Sequence, residues 1–180
     1  MNPGRSHLLL PLLLGLAASA GAQTAGPQTL GLGGRMAWIQ SPLSNPDTWI
    51  DAQAVYRPLP RLFLAGGWGM ADQTRGDTAV SELRWDLTLG VVVLQGDATG
   101  YIPLLWRHVT EDHSWYGDAH WTEIGAGVGA LVPLKEWLQL RTEILWSVPT
   151  DRHDDPRLGP GQQVDGGHLE LSLGFLAFVI

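Results

Sequence analysis

The chain has 180 residues, a formal net charge of −7, 23 glycines, nine tryptophans and no cysteine. Absence of cysteine excludes disulfides, thiolate catalysis and Cys-ligated zinc, and an acidic balance without a basic patch disfavours nucleic acid as a partner. Charged residues make up 16%, well below the about one quarter to one third of a soluble surface.

The first segment has the pattern of an export signal. Arg5 gives a short positive start, Leu8 to Ala18 an apolar run, and Ala20-Gly21-Ala22 a small-x-small cleavage site before Gln23. The apolar run is too short to span a bilayer as a helix. Residues 1–22 are therefore expected to be a cleaved secretory signal peptide, 23–29 a short lead-in and 30–180 a single folded domain. No later stretch reaches the roughly 18 consecutive apolar residues of a membrane helix, so residence in a membrane would have to be by strands.

Period-two alternation then predicts eight strands, each near the about 9 to 11 residues that cross a bilayer at a tilt. The first runs from Leu30 to Gln40, with Leu32, Met36 and Trp38 on one face and Arg35 on the other. The second, Trp49 to Arg57, alternates Ile50, Ala52, Ala54 and Tyr56 with Asp51 and Gln53, and Pro58-Leu59-Pro60 reverses the chain. Leu62 to Met70 is the third. The fourth, Ala79 to Leu94, sets Leu83, Trp85, Leu87, Leu89, Val91 and Val93 against Glu82, Arg84, Asp86 and Thr88, before a turn at Gln95 to Gly100. The fifth, Tyr101 to His108, contains Pro103, which demands a bulge or an unpaired position. The sixth, His120 to Val132, places Ile124, Ala126, Val128 and Ala130 opposite Glu123, Gly125, Gly127 and Gly129, leaving glycine-sized gaps for large neighbours. After a reversal at Pro133 to Glu136, the seventh sets Leu138, Leu140, Ile144 and Trp146 against Gln139, Arg141 and Glu143. The last, Gly167 to Ile180, sets Leu169, Leu171, Leu173 and Phe175 against His168, Glu170, Ser172 and Gly174.

Between the short reversals lie longer connections at Ser41 to Thr48, Ala71 to Thr78, Val109 to Ala119 and Ser147 to Gly166. Short periplasmic turns and long outer loops are the asymmetry of an outer-membrane barrel. These four connections hold Asp47, Asp72, Asp77, Glu111, Asp112, Asp118, Asp151, Asp154, Asp155 and Asp165 against Arg75, Arg152 and Arg157, so the outward end is expected to be acidic.

A soluble exported lipocalin-like barrel would turn the apolar face inward around a ligand, and a membrane barrel reverses this. The polar faces carry Arg35, Arg57, Arg84, Arg107 and Arg141 with Asp51, Glu82, Asp86, Glu123, Glu143 and Glu170. Five cations against six anions suit a closed interior, because buried ions must be paired and arginine matches carboxylates bidentately. Trp49, Trp68, Trp106, Trp121, Trp137 and Trp146 fall near strand ends, where amphipathic rings anchor at membrane interfaces. The pattern predicts an all-β, up-and-down antiparallel eight-stranded transmembrane barrel with a charged lumen.

In this arrangement the chain resembles the small outer-membrane β-barrels of two-membrane bacteria, the OmpA-like, OmpX-like and OmpW-like proteins. The resemblance spans about Leu30 to Ile180 and rests on the Gly125-Ala126-Gly127-Val128-Gly129-Ala130 strand leading to Pro133 and on the closing Leu169-Glu170-Leu171-Ser172-Leu173-Gly174-Phe175 strand. It implies residence in the outer membrane, contact with outer-membrane lipid and lipopolysaccharide, and handling by the barrel-assembly machinery. Members of the group commonly end in an aromatic residue that this machinery reads. Here Ile180 is last, with Phe178 two before it.

Two chemical readings attach to the third long connection and its flanks, which hold His108, Glu111, Asp112, His113, Ser114, Asp118 and His120. His113, His120 and Asp118 are candidate metal ligands, and His113 or His120 with Ser114 and a carboxylate would make an acyl-processing site. A hydrated acidic loop accounts for the same residues, so neither a resident metal, a cofactor nor an enzyme is expected. Loop carboxylates could also bridge to lipopolysaccharide phosphates through calcium or magnesium. Eight strands leave a lumen just wide enough for side chains, which makes the charges a structural plug. The sequence thus points to a structural or surface-interaction component acting through acidic outer loops, with a narrow channel or OmpW-like path for small or apolar solutes as the alternative.

Overall fold

The computed structural model describes residues 30–40, 47–75, 78–113, 117–150 and 167–179. Eight strands form one closed antiparallel barrel in chain order: β1 (Leu30–Gln40), β2 (Asp47–Leu59), β3 (Leu62–Arg75), β4 (Thr78–Gln95), β5 (Thr99–His113), β6 (Gly117–Lys135), β7 (Leu138–Pro149) and β8 (His168–Val179). Closure is made by β8 returning to β1, from Leu30↔Val179 to Gln40↔Leu169. A closed barrel satisfies each strand's main chain on both sides and leaves no edge. The expected signal peptide, the 23–29 lead-in and Ile180 lie outside the described residues.

At one end, here the turn end, the hairpins are tight. Leu59 pairs with Leu62, Gln95 with Thr99 and Lys135 with Leu138. Of the prolines expected to end strands, Pro60 lies in the turn after β2, whereas Pro58 and Pro133 do not stop theirs. β2 continues through Pro58 and β6 through Pro133, because register shifts between Tyr56 and Leu59 and between Pro133 and Lys135 take up the lost ladder position. Pro103 needs no bulge. The β5–β6 register is the same on either side of it, while the ladder omits Ile102 and Pro103. Main-chain bonds from Val92 N–H to the Arg61 carbonyl (2.9 Å) and from Phe178 N–H to the Trp137 carbonyl (2.8 Å) tie two of these turns to strands β4 and β8.

The opposite, loop end departs from expectation. Connections expected over Ala71 to Thr78 and Val109 to Ala119 are largely strand, since β3 and β4 stay paired out to Arg75↔Thr78 and β5 and β6 out to His113↔Gly117. Once a strand passes beyond an apolar wall, its residues need no longer alternate in polarity, while the main-chain ladder continues unaffected. Asp47, Asp72, Glu111, Asp112 and Asp118 therefore belong to strands rather than loops. Asp77, Asp151, Asp154, Asp155 and Asp165 lie outside the described residues.

The wall is inverted relative to a soluble protein. Ile50 is 63% exposed, Trp85 53% and Phe175 51%, whereas Arg35, Arg84, Arg107 and Arg141 are buried to 2% or less. A soluble lipocalin-like barrel needs the opposite arrangement, and that reading is set aside. Inside, Val55, Phe63, Ala65, Val92, Tyr101, Leu131, Leu176 and Phe178 pack together toward the turn end. Ala37, Ile39, Trp49, Ala71 and Val109 form a second apolar cluster, with Trp121 against it. Phe178 thus points into the barrel rather than onto its outer surface.

Candidate functional site

Strand periodicity assembles the lumen network. Glu82, Arg84 and Asp86 recur every second residue on β4 and so share its inner face. Register supplies their partners: Arg35 on β1 stands opposite Asp51 on β2, Asp86 opposite Arg107 on β5, and Arg107 opposite Glu123 on β6. Ten of the sequence-predicted lumen residues, Arg35, Asp51, Glu82, Arg84, Asp86, Arg107, Glu123, Arg141, Glu143 and Glu170, are buried inside the barrel.

Arg35 is the hub. Its guanidinium meets Asp51 and Asp86 at 2.5 Å each, Glu143 at 3.3 Å and Glu170 at 3.6 Å, so that one cation ties β1 to carboxylates on four other strands. Arg84 donates to both Asp51 oxygens, at 3.0 and 2.8 Å, and its other side lies 4.2 Å over the Trp49 ring. Arg107 donates to Glu170 at 2.7 Å and to Glu123 at 3.4 Å. Arg141 donates to Glu143 at 2.7 Å, Gln53 at 2.9 Å and the Tyr101 hydroxyl at 3.1 Å, while that hydroxyl donates to Glu143 at 2.9 Å. Shared partners hold each side chain in place, which is what a buried ionic group requires.

Glycines on the inner face make the space. A Cβ at Gly67 would strike the Asp86 carboxylate and one at Gly69 the Asp51 carboxylate. Gly90 lies against the Phe63 ring and Gly129 against the Tyr101 ring, so of the β6 glycines Gly129 admits a large neighbour, whereas Gly125 and Gly127 lie against the β7 main chain. Arg57 stands apart from the network. It is half-buried, and its Nε and Nη2 have no hydrogen-bond partner among the described residues.

The tryptophan expectations need correction. Trp68, Trp106, Trp137 and Trp146 are exposed on the outer wall. Trp49 is 3% exposed and faces the lumen, stacked on Arg84, and Trp121 is half-buried with its indole N–H donating to Glu123 at 2.8 Å. Both share parity with an inward acid, Asp51 and Glu123 respectively, so the period-two rule applied strictly would have turned them inward. Trp38 and Trp85 also face outward. Glu111, expected in a loop, is buried in the lumen opposite Glu82.

Sequence reasoning also missed a polar contact near the loop end. Ser147, assigned to a loop, is on β7, and its Oγ lies 2.8 Å from His168 Nε2. Glu123 Oε2 is 3.6 Å from the same nitrogen and accepts from Ser147 at 3.4 Å. A hydrolytic triad needs the acid on the far imidazole nitrogen, orienting the base. Here acid and hydroxyl share one nitrogen, and Ser147 is 1% exposed, so the arrangement serves as a hydrogen-bonded strut.

Of the residues named for metal or acyl chemistry, His113 and Asp118 are placed in strands but their side chains are outside the described residues, as is all of Ser114. His120 lies on the outer wall beside His108. Among the described residues no three His, Asp or Glu side chains converge as a metal site.

No protein-family model and no curated protein matches the sequence. Solved structures share the fold. Neisserial surface protein A superposes with a TM-score of 0.64 at 12% identity, covering 83% of this chain and 96% of that one. Ail, the attachment invasion locus protein of Yersinia pestis, solved with the heparin analogue sucrose octasulfate, gives 0.54 at 12% identity over 84% and 97%. A major outer membrane protein from Thermus thermophilus gives 0.54 at 12% identity over 83% and 98%. The chain has the fold of the small eight-stranded outer-membrane barrels.

Proposed function

We propose that the protein is an integral outer-membrane barrel of a two-membrane bacterium, a closed structural wall whose loop end is its contact surface. The observation that carries this is the inverted wall: large apolar side chains project outward along all the strands, while Arg35, Arg84, Arg107 and Arg141 are buried inside with their carboxylate partners. Only a lipid surround makes such an exterior favourable. Export by the residue 1–22 signal, insertion by the barrel-assembly machinery, and lipopolysaccharide and lipid as the surrounding partners belong to the same reading.

Packing supports a wall over a channel. Apolar clusters lie on both sides of the ion-pair network, and eight strands leave room for little more than side chains. The narrow-path alternative would require Arg141 and Glu143 to separate, with loss of a bond of 2.7 Å. Ail shares the fold and is named for attachment, which supports a surface-interaction role. The acidic balance of this chain favours cationic surface ligands over sulfated sugars.

The test is gel mobility with and without boiling, together with membrane fractionation. A heat-dependent shift in the outer-membrane fraction is expected, and a soluble protein without a shift overturns the proposal. In planar bilayers the folded protein should hold the baseline. Steady conductance that changes in Glu143→Gln would establish the channel instead.

A further inference from the structure

Among the described residues, two neighbouring histidines stand out from the apolar side chains of the outer wall. On β5 His108 pairs with Thr122 of β6, and Thr110 with His120, so the two histidines are diagonal neighbours across one strand pair. Alternation sets both on the outward face, out of step with the inward Arg107, Val109 and Glu123. His120 is exposed and His108 half-buried, the latter paired on its other side with Trp85. The imidazole centroids are 6.3 Å apart with planes inclined at 43°.

That separation has chemical meaning. An imidazole nitrogen lies about 1.2 Å from its ring centre and bonds a late transition metal at about 2.1 Å, so one ion bridges rings about 6.6 Å apart when the two nitrogens face each other across it, as in a square-planar Cu2+ site, and about 5.4 Å apart at a tetrahedral angle. Diagonal cross-strand neighbours are within reach of aromatic side chains, and the ladder fixes their backbones. Neutral imidazole is the commonest ligand for such ions. Asp112 is exposed two residue pairs further toward the loop end on the same face and adds negative potential.

We propose that His108 and His120 form a two-imidazole site for a late first-row divalent cation, on the outer wall where β5 and β6 emerge toward the loop end. Water or a lipid phosphate oxygen completes the coordination. Because the ligands are nitrogens, Cu2+ binds more tightly than Zn2+, and calcium and magnesium do not compete. The bridge also clamps the β5–β6 hairpin.

The experiment titrates the untagged, detergent-folded protein with Cu2+ by calorimetry and records its electron paramagnetic resonance spectrum, with the heat-shift gel confirming that each variant is folded. One equivalent should bind with two nitrogen ligands, excess Ca2+ leaving it in place. His108→Asn and His120→Asn should each abolish the two-nitrogen signal and His168→Asn should preserve it. No binding by the parent protein overturns the proposal. So does a two-nitrogen signal that survives either outer-wall substitution, or one lost only in His113→Asn.

Discussion

Toward the turn end Val55, Phe63, Leu131, Leu176 and Phe178 fill the lumen by contact, while midway along the barrel Arg35, Arg84, Arg107 and Arg141 fill it with ion pairs. The two regions fill the same cross-section by different physics. Removing atoms from the apolar plug loses contacts in proportion to the volume removed. Removing one ion from the network strands its partners, each keeping its full desolvation cost. Tyr101 joins the regions, its ring edge-on to Phe63 with centroids 4.7 Å apart and its hydroxyl between Glu143 and Arg141.

The largest effect should come from Arg35→Met, which keeps most of the volume and leaves Asp51, Asp86, Glu143 and Glu170 short of a cation. A loss of about 3–5 kcal/mol is expected, measured by urea unfolding of the micelle-folded barrel. A loss under about 1 kcal/mol would show that the hub is dispensable and erase the distinction between the regions. Phe63→Ala should cost about 3–4 kcal/mol in the same assay, and Phe63→Leu under about 1.5, because the plug responds to volume.

Tyr101→Phe sharpens the comparison by removing one hydroxyl and keeping the ring. It should cost about 1–2 kcal/mol, and Gly129→Ala, which pushes the ring off its seat, about 1–3. Combining Arg141→Met with Glu143→Leu should cost less than the sum of the two single changes by about 1 kcal/mol or more, since the double variant strands no ion of that pair. The smallest effect should be Trp85→Phe on the outer wall, within about 0.5 kcal/mol. Trp49→Phe should exceed it, because Trp49 stacks on Arg84 inside.

The lumen was the most legible part of the molecule. Arg84 and Asp86 alternate with Trp85 and Leu87, and a strand has only two faces, so the set of inward residues follows once the barrel is recognised. Trp49 and Trp121 went wrong because nearness to a strand end was weighed above parity. The loop end was hardest. Asp72, Glu111 and Asp118 belong to strands, and no hydropathy signal marks a strand whose two faces are both polar.

Chain order, the strand count and the division into apolar and charged faces are properties of the sequence, because alternation needs only local stereochemistry and composition. Which cation meets which carboxylate is not. Arg35 reaches Asp51 on the next strand and Glu143, 108 residues away, and only the register and closure of β8 onto β1 bring them together. The same closure turned a set of separately polar strand faces into one sealed network, and cross-strand register placed His108 beside His120 on the wall outside it.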